Sequence, residues 1–281
     1  MMVVGAAKKI FIKLKDKNMR LILYFIGILA LFQNCALLTA AGISSQGQPV
    51  KEVPENLINL QEDISAKVDH QLWTDLLQKH VSDDGLVDYE GFKNDQEQLN
   101  TYLNALSSNP PNEEWKVQEL LAYYINLYNA YTVDLIVKNY PVKSIKDING
   151  AWTKAIVPVG NRTMSLGGIE NGVLRKMDEP RIHFAINCAS ISCPKLMNKA
   201  YTPTAINEQL DEAASEFINS DKNMISPTSV KLSHIFKWYE KDYKTPSTNS
   251  VIAYINQYTD TKINIDASIE YLEYDWNLNK Q

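Results

Sequence analysis

Leu120-Leu-Ala-Tyr-Tyr-Ile-Asn-Leu-Tyr-Asn-Ala-Tyr-Thr-Val-Asp-Leu-Ile136 is the stretch on which the fold turns. Its apolar side chains keep to no single stripe. Leu120, Leu121, Tyr124, Ile125, Tyr128, Tyr131, Leu135 and Ile136 wrap most of the circumference of a helix. A helix that is apolar on most sides belongs inside a domain. Pro110-Pro-Asn-Glu-Glu-Trp115 reads as its start, with Asn112 as N-cap and acids in the first turn. Pro141 stops it just after Asn139. Asn126 and Asn129 share one stripe with Ala122 and Val133. Buried amides must find partners or destabilise the fold. Two roles stand open for them: a structural network that pins neighbouring backbone, or a stripe that orients a catalytic imidazole or a substrate.

Before this helix, His70 to Val81 repeats apolar residues at helical spacing (Leu72, Trp73, Leu76, Leu77, His80) and is stopped by Asp83-Asp84-Gly85. A second helix is expected from about Tyr89 to Leu106. After it, Ala155 to Leu166 reads as a hairpin around Gly160-Asn161, with Ser165 capping a helix from Gly168 to Met177. Thr202-Pro203 opens a helix to about Ser220. Ser229 to His234 alternates as a strand, Ile235 to Tyr243 and Ser250 to Tyr258 are short helices, and Ile269 to Leu278 reads as a last strand. The expected class is α+β: a helix-rich single domain around a small, mostly antiparallel sheet, covering residues 63–281.

The 281 residues are 45% apolar and 22% charged, ordinary for a globular chain. The net charge of −5 offers no basic surface for nucleic acid, which is not expected as a partner. Residues 1–41 read as a signal peptide. Six cations from Lys8 to Arg20 precede an apolar run from Leu21 to Phe32, with small residues at Thr39-Ala40-Ala41. Export to a periplasmic or secreted location is the expectation, and an uncleaved membrane anchor the alternative. Residues 42–62 read as a polar, turn-rich linker. Cleavage near Ala41 would leave two cysteines, Cys188 and Cys193.

Those two lie in Arg181-Ile-His-Phe-Ala-Ile-Asn-Cys-Ala-Ser-Ile-Ser-Cys-Pro194. Ile182, Phe184 and Ile186 alternate with His183, Ala185 and Asn187, a strand period that runs into a loop. One reading is a thiol nucleophile. A cysteine at such a junction, with an imidazole nearby, can be held as thiolate. Cys188 is the nucleophile in that reading, His183 or His234 the base, and Asn126, Asn129 or Asp242 the orienting group. Ser190, Cys193 and Arg181 stand beside the substrate. A second reading joins Cys188 to Cys193 in a disulfide, since exported thiols often pair. A third gathers His183, Cys188 and Cys193 around zinc, at a spacing that fits no usual zinc pattern. Two inert buried thiols are the fourth. No phosphate loop, dinucleotide fingerprint or nucleophile-elbow serine is present. No cofactor or metal is expected, and the ligand is left as a small molecule or peptide.

Five motifs occur in order: Tyr124-Ile-Asn-Leu-Tyr-Asn129, Ile169-Glu-Asn-Gly-Val-Leu-Arg175, Pro180 to Pro194, Leu232 with Ile235-Phe-Lys-Trp-Tyr239, and Tyr274-Asp-Trp-Asn-Leu278. Together they resemble the domain of unknown function 547 family over about residues 70–280. The resemblance implies a domain used in exported bacterial proteins, and in eukaryotic proteins alongside unrelated modules. It brings no activity. It adds weight to Asn126, Asn129, His183, Cys188, Ser190 and Cys193. Ala189 stands where the family's loop is expected to hold Gly. The functional expectation is a cysteine-dependent hydrolase or acyl-transfer enzyme on peptide or amide bonds. The alternative is a non-catalytic binding or scaffold domain with a Cys188–Cys193 bridge.

Overall fold

The computed structural model describes residues 44–61, 67–245 and 247–281. The helices are α1 Gln71–His80, α2 Tyr89–Asn94, α3 Gln96–Ser108, α4 Val117–Asn139, α5 Leu166–Gly172, α6 Ile182–Ala185, α7 Ile206–Ile218, α8 Ile235–Trp238 and α9 Val251–Ile255. The strands are β1 Val157–Val159, β2 Arg162–Met164, β3 Met224–Ile225, β4 Ser229–Leu232 and β5 Ser268–Tyr271. Twenty of the 23 residues of α4 are buried, and α2, α3, α5 and α7 all pack on it. The α+β class holds, but its centre is this helix. The sheets are two small pieces: the antiparallel hairpin β1–β2 (Val157 opposite Met164), and β3–β4–β5, antiparallel and then parallel.

The start of α4 differs from expectation. Asn112 caps a turn, accepting the Glu114 N–H at 2.9 Å, and the helix begins at Val117. Glu119 reaches back to the Lys116 N–H at 2.6 Å, occupying a donor that the first turn leaves free. The expected helix from Tyr89 to Leu106 is two, broken at Asp95, whose carboxylate takes Lys79 and His80. Residues 202–205 form a turn, so α7 starts past Pro203. Ser165 caps α5 as expected, accepting the Gly168 N–H at 3.0 Å. The last strand is shorter than read, and the chain after Tyr271 runs irregularly.

Arg181 to Ile186 is not a strand. Residues 182–185 are one helical turn, α6, with all four side chains buried. Alternation marks a strand only when one face is exposed, and here neither is.

Residues 1–41, read as a signal peptide, lie outside the described residues. Residues 44–61, read as linker, run along the domain: the Val53 N–H bonds the Met177 carbonyl at 2.8 Å, and Leu57 is buried. Among the described residues no helix is long and apolar enough to cross a membrane.

One buried group ties stability to pH. His70 Nδ1 lies 2.7 Å from the Tyr102 hydroxyl, and burial lowers its pKa from 6.5 to about 4. Between those values the unfolded chain binds a proton that the folded one refuses. Stability is therefore expected to fall as pH drops from 6.5 toward 4, by about 3 kcal/mol from this group. Urea unfolding at pH 7 and pH 4.5 checks it, with His70→Phe expected to flatten the difference.

Candidate functional site

The loop carrying the cysteines is held in place by amides. Asn129, on α4, donates to the Ala185 carbonyl at 2.9 Å and accepts the Asn187 N–H at 2.8 Å, so it brackets Ile186 from both sides. Asn126 does the same one turn earlier, donating to the Tyr201 carbonyl at 2.8 Å and accepting the Tyr201 N–H at 3.0 Å. Neither touches an imidazole, so the orienting role read for them goes elsewhere. Asn187 closes the loop on itself, donating to the Pro194 carbonyl at 2.7 Å and accepting the Ala189 N–H at 2.8 Å. The C-terminal segment seals the outside, with the Ile191 N–H on the Asn277 carbonyl at 2.9 Å. Ala189 adopts φ +59°, which explains why glycine is expected there.

Within this loop Cys188 and Cys193 are both free thiols, so the disulfide is absent. Instead the Cys188 N–H donates to Cys193 Sγ at 2.9 Å. Cys188 Sγ lies 3.2 Å from Ser190 Oγ and 3.3 Å from the Tyr274 hydroxyl, and those two are 3.1 Å apart. Hydrogen bonds from Cys193, Ser190 and Tyr274 hold the Cys188 thiol below the ordinary cysteine value despite its burial. Burial pushes the Cys193 thiol well up, and it pushes the Tyr274 phenol up too, so both remain protonated donors beside Cys188.

His183 lies on α6, stacked on the Tyr239 ring at 3.8 Å between centroids. Its Nε2 is 2.8 Å from Asp242 Oδ2, while Nδ1 is buried without a partner. Arg175 grips the same carboxylate with both arms of its fork, Nε at 2.6 Å and Nη2 at 2.7 Å. Burial alone would raise the Asp242 carboxyl. Arg175 and His183 outweigh that and keep it well below the usual carboxylate range. An ionised Asp242 fixes the tautomer: Nε2 carries the proton and donates, leaving the Nδ1 lone pair free.

These groups meet at one cavity of about 320 Å³. Its wall includes His183, Cys188, Cys193 and Glu170, and six large aromatic side chains: Tyr128, Tyr239, Tyr274, Trp152, Trp238 and Trp276. Glu170 is buried and receives the Tyr239 hydroxyl at 2.5 Å and, more weakly, the Tyr128 hydroxyl at 3.4 Å. Each of the five motifs quoted above supplies at least one wall residue.

Residues 112–218 match the family described as "Protein of unknown function, DUF547". This segment, residues 112–218, belongs to the DUF547 family. No curated protein and no solved structure matches the chain. The matched part of the DUF547 domain holds Tyr128, Glu170, His183 and both cysteines. Asp242 and the aromatic wall from Trp238 to Trp276 come from beyond it.

Several residues read as site members lie elsewhere. His234 gives Nδ1 to the Leu272 carbonyl, packs between Trp238 and Tyr271, and is not on the cavity wall. Arg181 is spent on Glu179 (2.6 Å) and Asp211 (2.8 Å), away from the cavity. Ser190 is buried behind Cys188 and acts on its thiol. The zinc reading has no support in the geometry: among the described residues no three His, Cys, Asp or Glu side chains gather for a metal. Sequence reasoning missed Glu170 and Arg175. Their signal was present, as charged side chains inside the apolar motif Ile169–Arg175.

Proposed function

We propose that the DUF547 domain is a cysteine-dependent hydrolase or acyl-transfer domain acting on peptide or amide bonds. The observation that carries the reading is one wall on which the Cys188 thiol, held toward thiolate by three hydrogen-bonding neighbours, is joined by a histidine oriented through Asp242. Cys188 Sγ attacks the acyl carbon, and the thiol proton goes to Nδ1 of His183, which has no hydrogen bond to Sγ among the described residues and must close on it when substrate binds. As the C–N bond breaks, the same proton passes to the leaving nitrogen and a thioester remains on Cys188. Water then attacks the thioester and gives its proton to Nδ1, and Sγ leaves with a proton returned from there. Arg175 keeps Asp242 ionised, so that His183 carries its proton on Nε2 between steps.

Alkylation by iodoacetamide followed by peptide mass analysis tests this. Cys188 should be the thiol modified and Cys193 spared, with the half-maximal rate reached below the ordinary cysteine value of about 8.5. An unreactive Cys188, or a rate that rises only above that pH, removes the nucleophile.

A second reading has its own observation. Among the described residues no imidazole nitrogen hydrogen-bonds to either sulfur, and the wall is rich in aromatic side chains, which suits a domain that binds a small molecule or peptide without turning it over. A reactive Cys188 with no turnover of any amide or ester would favour it.

A further inference from the structure

We propose that the cavity takes a cationic ammonium group, so that the substrate is an acyl compound bearing a primary or methylated amine. As a statement about the substrate this rests on the thiol reading above; as a statement about binding it stands alone.

Charge makes the first part of the case. Among the described residues no lysine or arginine lines the cavity, and the one carboxylate on its wall is Glu170. Glu170 is buried, yet it takes part in no ion pair among the described residues; its oxygens have only the phenols of Tyr128 and Tyr239. The Arg175 guanidinium, close enough to feel the Glu170 charge, is bonded to Asp242 through Nε and Nη2 and makes no ion pair with Glu170. A buried carboxylate facing a cavity without a counter-ion favours a cationic guest.

Ring geometry makes the second part. Trp152, Trp238, Tyr274 and Trp276 form one group, with centroids 4.6 Å apart for Tyr274–Trp276, 4.8 Å for Trp238–Tyr274 and 5.9 Å for Trp152–Trp276. The planes of Trp152 and Trp276 stand at 77° to each other, so the rings on the wall do not share one plane. Aromatic faces attract cations, and several converging ones select ammonium over neutral groups of equal size. Two rings of this wall already attract cations: Lys146 Nζ sits 5.1 Å from the Trp276 centroid and Arg175 lies 5.2 Å from that of Tyr239. Trp238 is 46% exposed, so the group opens to solvent on its side.

The test uses tryptophan fluorescence on the full chain carrying Cys188→Ser, which removes thiol chemistry from the measurement. n-Pentylammonium, 1-pentanol and pentanoate are titrated at pH 7. Saturable binding of the ammonium, at least about tenfold tighter than the alcohol and with no saturable binding of pentanoate, is the expected result. Glu170→Gln, which keeps the shape, should abolish most of that preference; Trp276→Phe, which keeps a ring, should reduce it less than Trp276→Leu. Alcohol or carboxylate binding as tightly as the ammonium overturns the proposal, as does a preference that survives Glu170→Gln in a protein with an unchanged melting curve. The two proposals fail separately. An inert thiol with ammonium binding intact sinks only the acyl-transfer reading, and a reactive thiol with no ammonium preference sinks only this one.

Discussion

Replacing Asn129 by alanine is expected to lower the unfolding free energy by about 4 kcal/mol. The side chain makes two bonds, both to backbone and both buried: donation to the Ala185 carbonyl at 2.9 Å and acceptance from the Asn187 N–H at 2.8 Å. Alanine supplies neither, and water has no route in, since Asn129 is 2% exposed on a helix buried nearly throughout. A stranded carbonyl and a stranded N–H each cost about 1–3 kcal/mol. Urea unfolding measures the loss, with Asn104→Ala on the exposed side of α3 as a control expected within about 0.5 kcal/mol of wild type. Asn129 also holds the backbone just ahead of Cys188. The alkylation rate of that thiol should therefore fall in the variant under conditions where it is still folded. A loss below about 1 kcal/mol would mean that the loop is held by its other contacts, chiefly Asn187 and the segment around Asn277.

What could be read from the sequence follows the range of the interactions. The all-round apolar pattern of Leu120–Ile136 marked α4 as buried, because burial on every side is a property of one segment; that it, and not a sheet, is the centre was not legible. The Gly160-Asn161 turn and the Ser165 cap were legible for the same local reason, with Gly160 at φ +60°. The stretch from Arg181 to Ile186 was not. Its alternation looks like a strand, but a four-residue helix is too short to display a 3.6-residue period. The roles of Asn126 and Asn129 were visible only as a pair of alternatives; burial said that they need partners, and nothing local said which. The site itself was half legible. His183, Cys188 and Cys193 stand within eleven residues of one another. Asp242 is 59 residues from His183 and could be named only as one orienting group among three. His234 was equally plausible by type, since a sequence does not say that its Nδ1 is spent on a carbonyl at Leu272.

Asp242→Asn is expected to separate the two parts of the proposed chemistry. Turnover of an activated ester with an ammonium tail should fall by about a thousandfold or more. Alkylation of Cys188 by iodoacetamide should stay within a few-fold of wild type. The split follows from which groups touch which. The Cys188 N–H donates to Cys193 Sγ, and Cys188 Sγ lies in hydrogen-bond reach of Ser190 and Tyr274; none of these bonds involves Asp242. Among the described residues His183 has its only side-chain hydrogen bond to Asp242 Oδ2, and an asparagine that turns its NH₂ toward Nε2 would stabilise the opposite tautomer, with the proton on Nδ1. That imidazole cannot accept a proton where the mechanism needs it. Stability should drop as well, by about 2 kcal/mol, because Arg175 loses a carboxylate gripped at two points. The sign of its pH dependence is fixed by the low folded-state value of Asp242. Its contribution is complete above the unfolded carboxylate value of about 3.9 and is lost only as pH falls through the lower folded value. Wild type and variant should therefore differ throughout the neutral range and converge only in strong acid. Equal loss of alkylation and turnover would instead tie the thiol to His183 directly, and would move the thiolate from its three neighbours to a cysteine–histidine ion pair.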